Sequence, residues 1–298
     1  MKIGVSVNAR VCGGELETHL RRLARMGFDC ADMQFFADTE NGWFDGTAAE
    51  FTQRCAQVRR IAADCGVEIS QTHGPWRWPP RDLTPEDRAE RFDKMARSLE
   101  GSAVMGAPCM AIHCIMPFGT QRPAKPDDPD AERFLEMNRE FYARLLERAK
   151  ACGVVIALEN LPFTSLMLSS VREVLDFVRE FDSPFFRVCL DTGHAAILGT
   201  GAGDAVRLIG KEYLAALHVH DNDGRGDRHW VPFTGVVDWA DFSRALHEIG
   251  FAGTVSLETH VRNLLPNVPE ALWDLYGRAL AQTARFLTEK PAETAEKA

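Results

Sequence analysis

Residues 154–159 read VVIALE, and this stretch decides the fold. Its first five positions are continuously apolar, as in a strand buried on both faces, and such strands belong to parallel sheets covered by helices. Gly153 stands just before it and closes an amphipathic stretch near 131–152, the place where helix-ending glycines sit. The same cycle of short apolar run and longer amphipathic stretch repeats in both directions. Strands are expected near 3–7, 30–35, 67–72, 109–113, 154–159, 187–191, 214–220 and 254–258. Helices are expected near 15–27, 48–65, 85–106, 131–152, 169–181, 203–212, 239–249 and 269–288. Thr84-Pro85-Glu86-Asp87 reads as an N-cap, a proline at the first helical position and an acidic first turn, and Gly66 and Gly250 end helices as Gly153 does.

Each return to a parallel strand needs a crossover. Eight βα units close most simply as an α/β fold, a single (β/α)8 TIM barrel, over 1–288, with 289–298 a polar tail. The other arrangement open to them is a doubly wound sheet. No GxGxxG follows the first strand, which weakens its dinucleotide-binding version.

In such a barrel the chemistry gathers where strands end and βα loops begin. His73, His113, Glu159, Asp191, His218, His220 and Glu258 all fall there, with His194 three residues beyond Asp191. Seven of the nine histidines, all but His19 and His247, lie at or just past strand ends. Period two then places small residues inward below them (Ala111, Ala157, Cys189, Ala216, Ser256) and bulky ones outward (Ile156, Leu158, Leu190, Val219, Leu257). Three carboxylates in one partly buried mouth would repel one another, and a divalent cation resolves the repulsion. Glu159, Asp191, His220 and Glu258 form an oxygen-rich set suited to Mn²⁺, Mg²⁺ or Co²⁺, with Zn²⁺ also compatible. His218 shares a face with His220, and which of the two is the ligand stays open. Trp76 and Trp78 either line the mouth or pack a loop. His260 reads as a loop residue.

Net charge is −9 (34 basic against 43 acidic residues), which disfavours a nucleic-acid or anionic-membrane surface. The loop 117–130 carries Arg122 and Lys125 beside three aspartates. No run of about 18 apolar residues exists for a membrane span. The eight cysteines never form CxxC and read as core filler in a reduced, cytoplasmic protein without a signal peptide.

The chain resembles the xylose isomerase-like TIM-barrel superfamily, which includes sugar phosphate isomerases and epimerases, ketose 3-epimerases and endonuclease IV. The resemblance is carried by THGPW at 72–76, AIHC at 111–114, ALENL at 157–161, CLDTGHA at 189–195, LHVHDNDGRGDRH at 217–229 and SLETH at 256–260. It implies a metal on Glu159, Asp191, His220 and Glu258. It also implies that Glu159 and Glu258 act as acid and base on opposite faces of a sugar, next to a carbonyl that the metal polarises, and that His194 and Arg225 contact substrate. Endonuclease IV holds three zinc ions, and His73, His113, Glu159, Asp191, His194, a histidine of the 218/220 pair, Asp227, His229 and Glu258 match its ligands. Three departures separate the chains: Cys114-Ile115 follows His113 in place of Pro-Gly, His220 stands where that family has Asn, and the linker to Asp227 is shorter. The expected function is therefore a metal-dependent sugar or sugar-phosphate isomerase/epimerase with no organic cofactor and no nucleic-acid or membrane partner; a homo-oligomer is compatible. His73, His113, His194, His218, Arg225, Asp227 and His229 are expected to bind substrate or a second metal. The rivals are a phosphodiester hydrolase acting at abasic DNA and a non-catalytic sugar-binding barrel.

Overall fold

A computed structural model describes residues 1–8, 15–77, 79–121, 123, 125–259 and 269–290. Trp78, Arg122, His260 and residues 291–298 of the expected tail lie outside the described residues. Eight strands, β1 (Lys2–Val7), β2 (Cys30–Met33), β3 (Glu68–His73), β4 (Cys109–Ile112), β5 (Val155–Glu159), β6 (Phe186–Asp191), β7 (Leu214–His218) and β8 (Thr254–Leu257), pair in parallel in the order β7-β6-β5-β4-β3-β2-β1-β8. The circle closes just past β7, where the Val219 N–H donates to the Ser256 carbonyl (2.9 Å) and the Glu258 N–H to the Val219 carbonyl (3.1 Å). The expected TIM barrel is therefore the fold.

The helices that return the chain are α1 (Glu15–Met26), α2 (Ala48–Asp64), α3 (Pro85–Met105), α4 (Ala131–Cys152), α5 (Val171–Arg179), α6 (Thr192–Ile197), α7 (Ala202–Tyr213), α8 (Trp239–Glu248) and α9 (Trp273–Thr288). Thr84 caps α3 reciprocally: its hydroxyl accepts from the Asp87 N–H (3.1 Å) and the Asp87 carboxylate accepts from the Thr84 N–H (3.3 Å). Gly153 ends α4 at φ 68°, a left-handed turn that a residue with a Cβ adopts only at a cost.

The period-two reading holds. Ile156, Leu158, Leu190, Val219 and Leu257 are buried in the layer between sheet and helices, which forms the main core. Cys109, Ala111, Ala157, Cys189 and Ala216 make a separate small cluster inside the barrel. Only short side chains fit where eight strands crowd one axis, and they form a dry floor beneath the polar mouth.

Three local differences from expectation bear on the site. β2 stops at Met33, and the chain turns through a 3₁₀ segment, Gln34–Phe36. β7 stops at His218, so His220 lies one step past the ladder. A six-residue helix, α6, not among the helices expected, follows β6 directly, because the Asp191 carboxylate accepts the His194 N–H (2.7 Å) and caps it.

Candidate active site

Glu159, at the end of β5, sits at the centre of the mouth and is 1% exposed. Four imidazoles surround it. His113 Nε2 and His218 Nδ1 each approach a Glu159 oxygen to 3.1 Å, His73 Nε2 to 3.4 Å and His194 Nδ1 to 3.7 Å. The backbone beneath His113 is pinned: its carbonyl accepts from the buried Tyr142 hydroxyl (2.7 Å) and from Arg91 Nη2 (3.0 Å). Trp76 meets the His113 ring edge-on, with centroids 4.3 Å apart, and so lines the mouth.

The two histidines at and just past the end of β7 part company. His218, level with Asp191 across the β6–β7 ladder, turns Nδ1 toward Glu159 (3.1 Å) and Glu258 (3.6 Å). Ligand atoms of Glu159, Asp191, His218 and Glu258 all lie within 4.8 Å of one another. His220 instead places Nε2 at 3.0 Å from Asp191 Oδ2 and 3.7 Å from Asp227. It also stacks on the His229 ring with centroids 4.2 Å apart. The quartet drawn from the sequence named His220, whereas the histidine gathered with all three carboxylates is His218.

Asp227 and His229 reach the mouth from the loop after β7. Asp221 hangs this loop in place: its buried carboxylate accepts from the N–H groups of Asn222, Gly235 and Val237 and from the Trp239 indole (2.9–3.1 Å). His229 adopts a left-handed φ of 50°, uncommon for a residue with a Cβ, and the Thr259 hydroxyl donates to its carbonyl (2.6 Å). Arg225 is exposed, and among the described residues no side-chain contact joins it to the cluster.

His73, His194 and His229 share one device. Each gives Nδ1 to a backbone carbonyl (Gly74, Asn160 and Glu258, 2.8 Å in every case) and turns Nε2 to a carboxylate. An imidazole anchored through one nitrogen has its orientation and tautomer fixed for the other, which is how ligating histidines are usually held. Sequence reading missed the polar groups beneath the mouth: Asp32, Gln34 and Gln71, together with Asn160, whose side chain exchanges two bonds with the Asp191 backbone (2.8 and 3.0 Å). Asp32 and Gln34 stand two residues apart, as Gln71 and His73 do in β3, and that spacing was the signal.

Charge compensation is extensive. Burial by itself pushes the Glu159 carboxyl up, but the His218 and His113 rings outweigh it and hold it well below the usual range. Burial would lower His194 and His229. For His194, Asp191 and Asp227 reverse the effect; for His229, Asp227 and Glu258 do, and both rings rise to about 10. Even so, among the described residues Glu159 Oε2 and His218 Nδ1 are buried without a hydrogen-bond partner, although other polar atoms are close. Donor atoms that converge without pairing are what a cation's ligands look like. The donor set of three carboxylates and one imidazole fits a divalent metal of the oxygen-preferring kind.

Comparison with known proteins places the arrangement. Residues 20–288 match the family described as xylose isomerase-like TIM barrel. The chain belongs to that family. Among curated relatives of this xylose isomerase-like chain, D-psicose 3-epimerase of Ruminiclostridium cellulolyticum is 26% identical over 257 residues, covering 82% of this chain and 78% of that protein. D-psicose 3-epimerase of Agrobacterium fabrum is 26% identical over 250 residues, covering 82% and 79%. Of solved structures, D-psicose 3-epimerase with D-tagatose from Clostridium cellulolyticum H10 superposes with a TM-score of 0.74 at 20% identity, covering 97% of this chain and all of that one. An L-ribulose 3-epimerase gives 0.70 at 21%, covering 96% and 92%. These structural likenesses establish the shared barrel. No described helix is long and apolar enough to cross a membrane.

Proposed function

We propose that this member of the xylose isomerase-like family is a metal-dependent sugar isomerase or epimerase that moves a proton at a carbon next to a carbonyl. The observation that carries the reading is the convergence of Glu159, Asp191, His218 and Glu258 within 4.8 Å at the barrel mouth. D-psicose 3-epimerases among the relatives make a ketose the first substrate to try. In this reading Glu159, Asp191, His218 and Glu258 hold a divalent cation. When bound, such an ion makes the C–H beside a carbonyl more acidic by stabilising the developing oxyanion.

The chain's own groups do the proton work. Glu159 is ionised, as its neighbours dictate, and is ready to accept a proton. Glu258 has Oε1 occupied by the Gln34 amide (2.7 Å), so Oε2 is the atom that gives or takes a proton on the other side. β5 and β8 approach the mouth from different directions, so the two carboxylates address two faces of a planar enediolate. Return of the proton to the opposite face inverts a stereocentre; return to the neighbouring carbon shifts the carbonyl. His194, His73 and His113 line the space where substrate oxygens would bind.

One observation favours a second reading. Further donor groups, His73/Glu159/His218 and Asp191/His194/His220, adjoin the first, with Asp227 beside His194 and His229. Several metals and a phosphodiester substrate, as in endonuclease IV, would use them. The charge of −9 weighs against DNA.

The test is to incubate metal-loaded protein in D₂O with ketoses, aldoses and their phosphates, and in parallel with an oligonucleotide containing an abasic site. Deuterium entering a substrate C–H position, and lost in metal-replete Glu258→Gln, is the expected result. Nicking of the oligonucleotide without sugar exchange would establish the hydrolase instead. Sugar binding without exchange would mean a non-catalytic barrel.

A further inference from the structure

His218 is the odd one out among the anchored imidazoles. His73, His194 and His229 each rest their outer nitrogen on a backbone carbonyl. The outer nitrogen of His218, Nε2, faces a carboxylate instead: Asp32 Oδ2 at 3.4 Å. Both residues are fully buried, and His218 Nε2 and Asp32 Oδ1 have no hydrogen-bond partner among the described residues.

Asp32 sits in a small network. Its Oδ2 accepts from Gln71 Nε2 (3.2 Å) and from Gln34 Nε2 (3.5 Å), and Gln34 also donates to Glu258 Oε1 (2.7 Å). Gln71 reaches the Leu217 carbonyl, one residue before His218 (3.4 Å). No Lys or Arg among the described residues pairs with Asp32. A carboxylate taken wholly out of water needs a charged or strongly polar counterpart, and amide donors alone are weak compensation. A fully buried acid, in a strand whose other side chains are apolar, is a costly residue to place for scaffolding only.

We propose that Asp32 is the positioning residue of the cation site: it takes the Nε2–H of His218, turns the Nδ1 lone pair toward Glu159 and Glu258, and through Gln34 keeps Glu258 in register with that ring. This rests on the reading of Glu159, Asp191, His218 and Glu258 as cation ligands. A neutral imidazole carries one proton and one lone pair, so the nitrogen that gives its proton to Asp32 decides that the other is free to coordinate. A carboxylate accepting that proton also makes the coordinating nitrogen the stronger donor. Because Gln34 touches both Asp32 and Glu258, loss of Asp32 loosens two ligands together.

The full chain, stripped of metal, is titrated with Mn²⁺ by calorimetry as wild type, Asp32→Ala and Asp32→Asn. The ring ¹⁵N signals of the Zn²⁺-loaded proteins are recorded, with His218 assigned by loss of its signals in His218→Gln. Asp32→Ala is expected to weaken Mn²⁺ about 10- to 100-fold at unchanged stoichiometry and to broaden or shift the His218 Nε2–H signal. Asp32→Asn keeps an acceptor oxygen of the same shape, so it falls between. Should Asp32→Ala fail to fold, Asp32→Asn and Gln34→Leu carry the test, and both must then lose affinity. Wild-type Mn²⁺ affinity in the folded Asp32 variants, or His218 protonated at Nδ1 in the loaded wild type, overturns the proposal while leaving the cation site standing. A wild type that takes up no Mn²⁺ overturns the cation reading itself.

Discussion

His220 Nε2 lies 3.0 Å from Asp191 Oδ2 in hydrogen-bond geometry. In the proposed reading His220 keeps its proton on this nitrogen and orients Asp191, whereas His218 turns toward the same acids an Nδ1 that has no hydrogen-bond partner among the described residues. Removal of each ring should separate these roles. His218→Ala should lose stoichiometric metal, and His220→Ala should keep one equivalent at reduced affinity, as removal of an outer partner typically costs about 10- to 100-fold. Metal analysis after gel filtration decides; retention by His218→Ala with loss in His220→Ala would restore the quartet drawn from the sequence.

Glu258→Gln should keep a hydrogen-bonding group beside Gln34 but remove the proton acceptor at Oε2. Loss of a placed acid or base lowers the rate by roughly 10²–10⁴, and here the residue is also expected to ligate, so the fall should be at least that large. Exchange of substrate protons with solvent, measured at saturating metal, is the readout. Undiminished exchange would remove Glu258 from the chemistry.

Gly193→Ala probes α6, the short helix that carries His194. A Cβ at this position would run into the His220 ring. Overpacking of this kind costs about 1–3 kcal/mol, and the ring lies against Asp191. Lower thermal stability together with weaker metal binding is expected; a variant that melts as wild type does would mean that α6 yields freely.

Far from the mouth, the Asp29–Arg285 pair ties α9 to the start of the barrel, with Arg285 Nη1 2.9 Å from Asp29 Oδ2. Burial raises the Asp29 carboxyl, but the Arg285 guanidinium and the Ile3 N–H outweigh it and leave it lowered. A lowered carboxyl stabilises the fold above its unfolded pKa of about 3.9 and loses that contribution as pH falls through the folded value. Arg285→Met should therefore shift the urea midpoint most at pH 7 and little near pH 2.5. An equal shift at both values would assign the effect to packing of the side chain.

The barrel was legible because βα periodicity and buried apolar strands are local signals. Glu159, Asp191 and Glu258 stood out as candidates because strand ends are where barrels place chemistry, and the fold brings them together. The choice between His218 and His220 was not, since both have the same parity and only the point at which β7 leaves the ladder separates them. Asp32 escaped for a different reason. It lies within a short strand read as apolar, and its partners, Gln34, Gln71 and His218, come from β3, β7 and the turn after β2. Closeness across a closed barrel leaves no trace in sequence spacing. Arg225 shows the converse: a residue type suited to binding sugar oxygens, in a loop that holds it exposed.

The floor of alanines and cysteines beneath Glu159 makes the vessel blind at one end. Whatever reaches the cluster goes back out by the opening it came through. If the proposed reaction holds, substrate and product queue for the same doorway, and each excludes the other while inside. Net turnover would then slow as product accumulates even before chemical equilibrium is reached, and its direction would follow whichever of the two the surrounding solution removes faster.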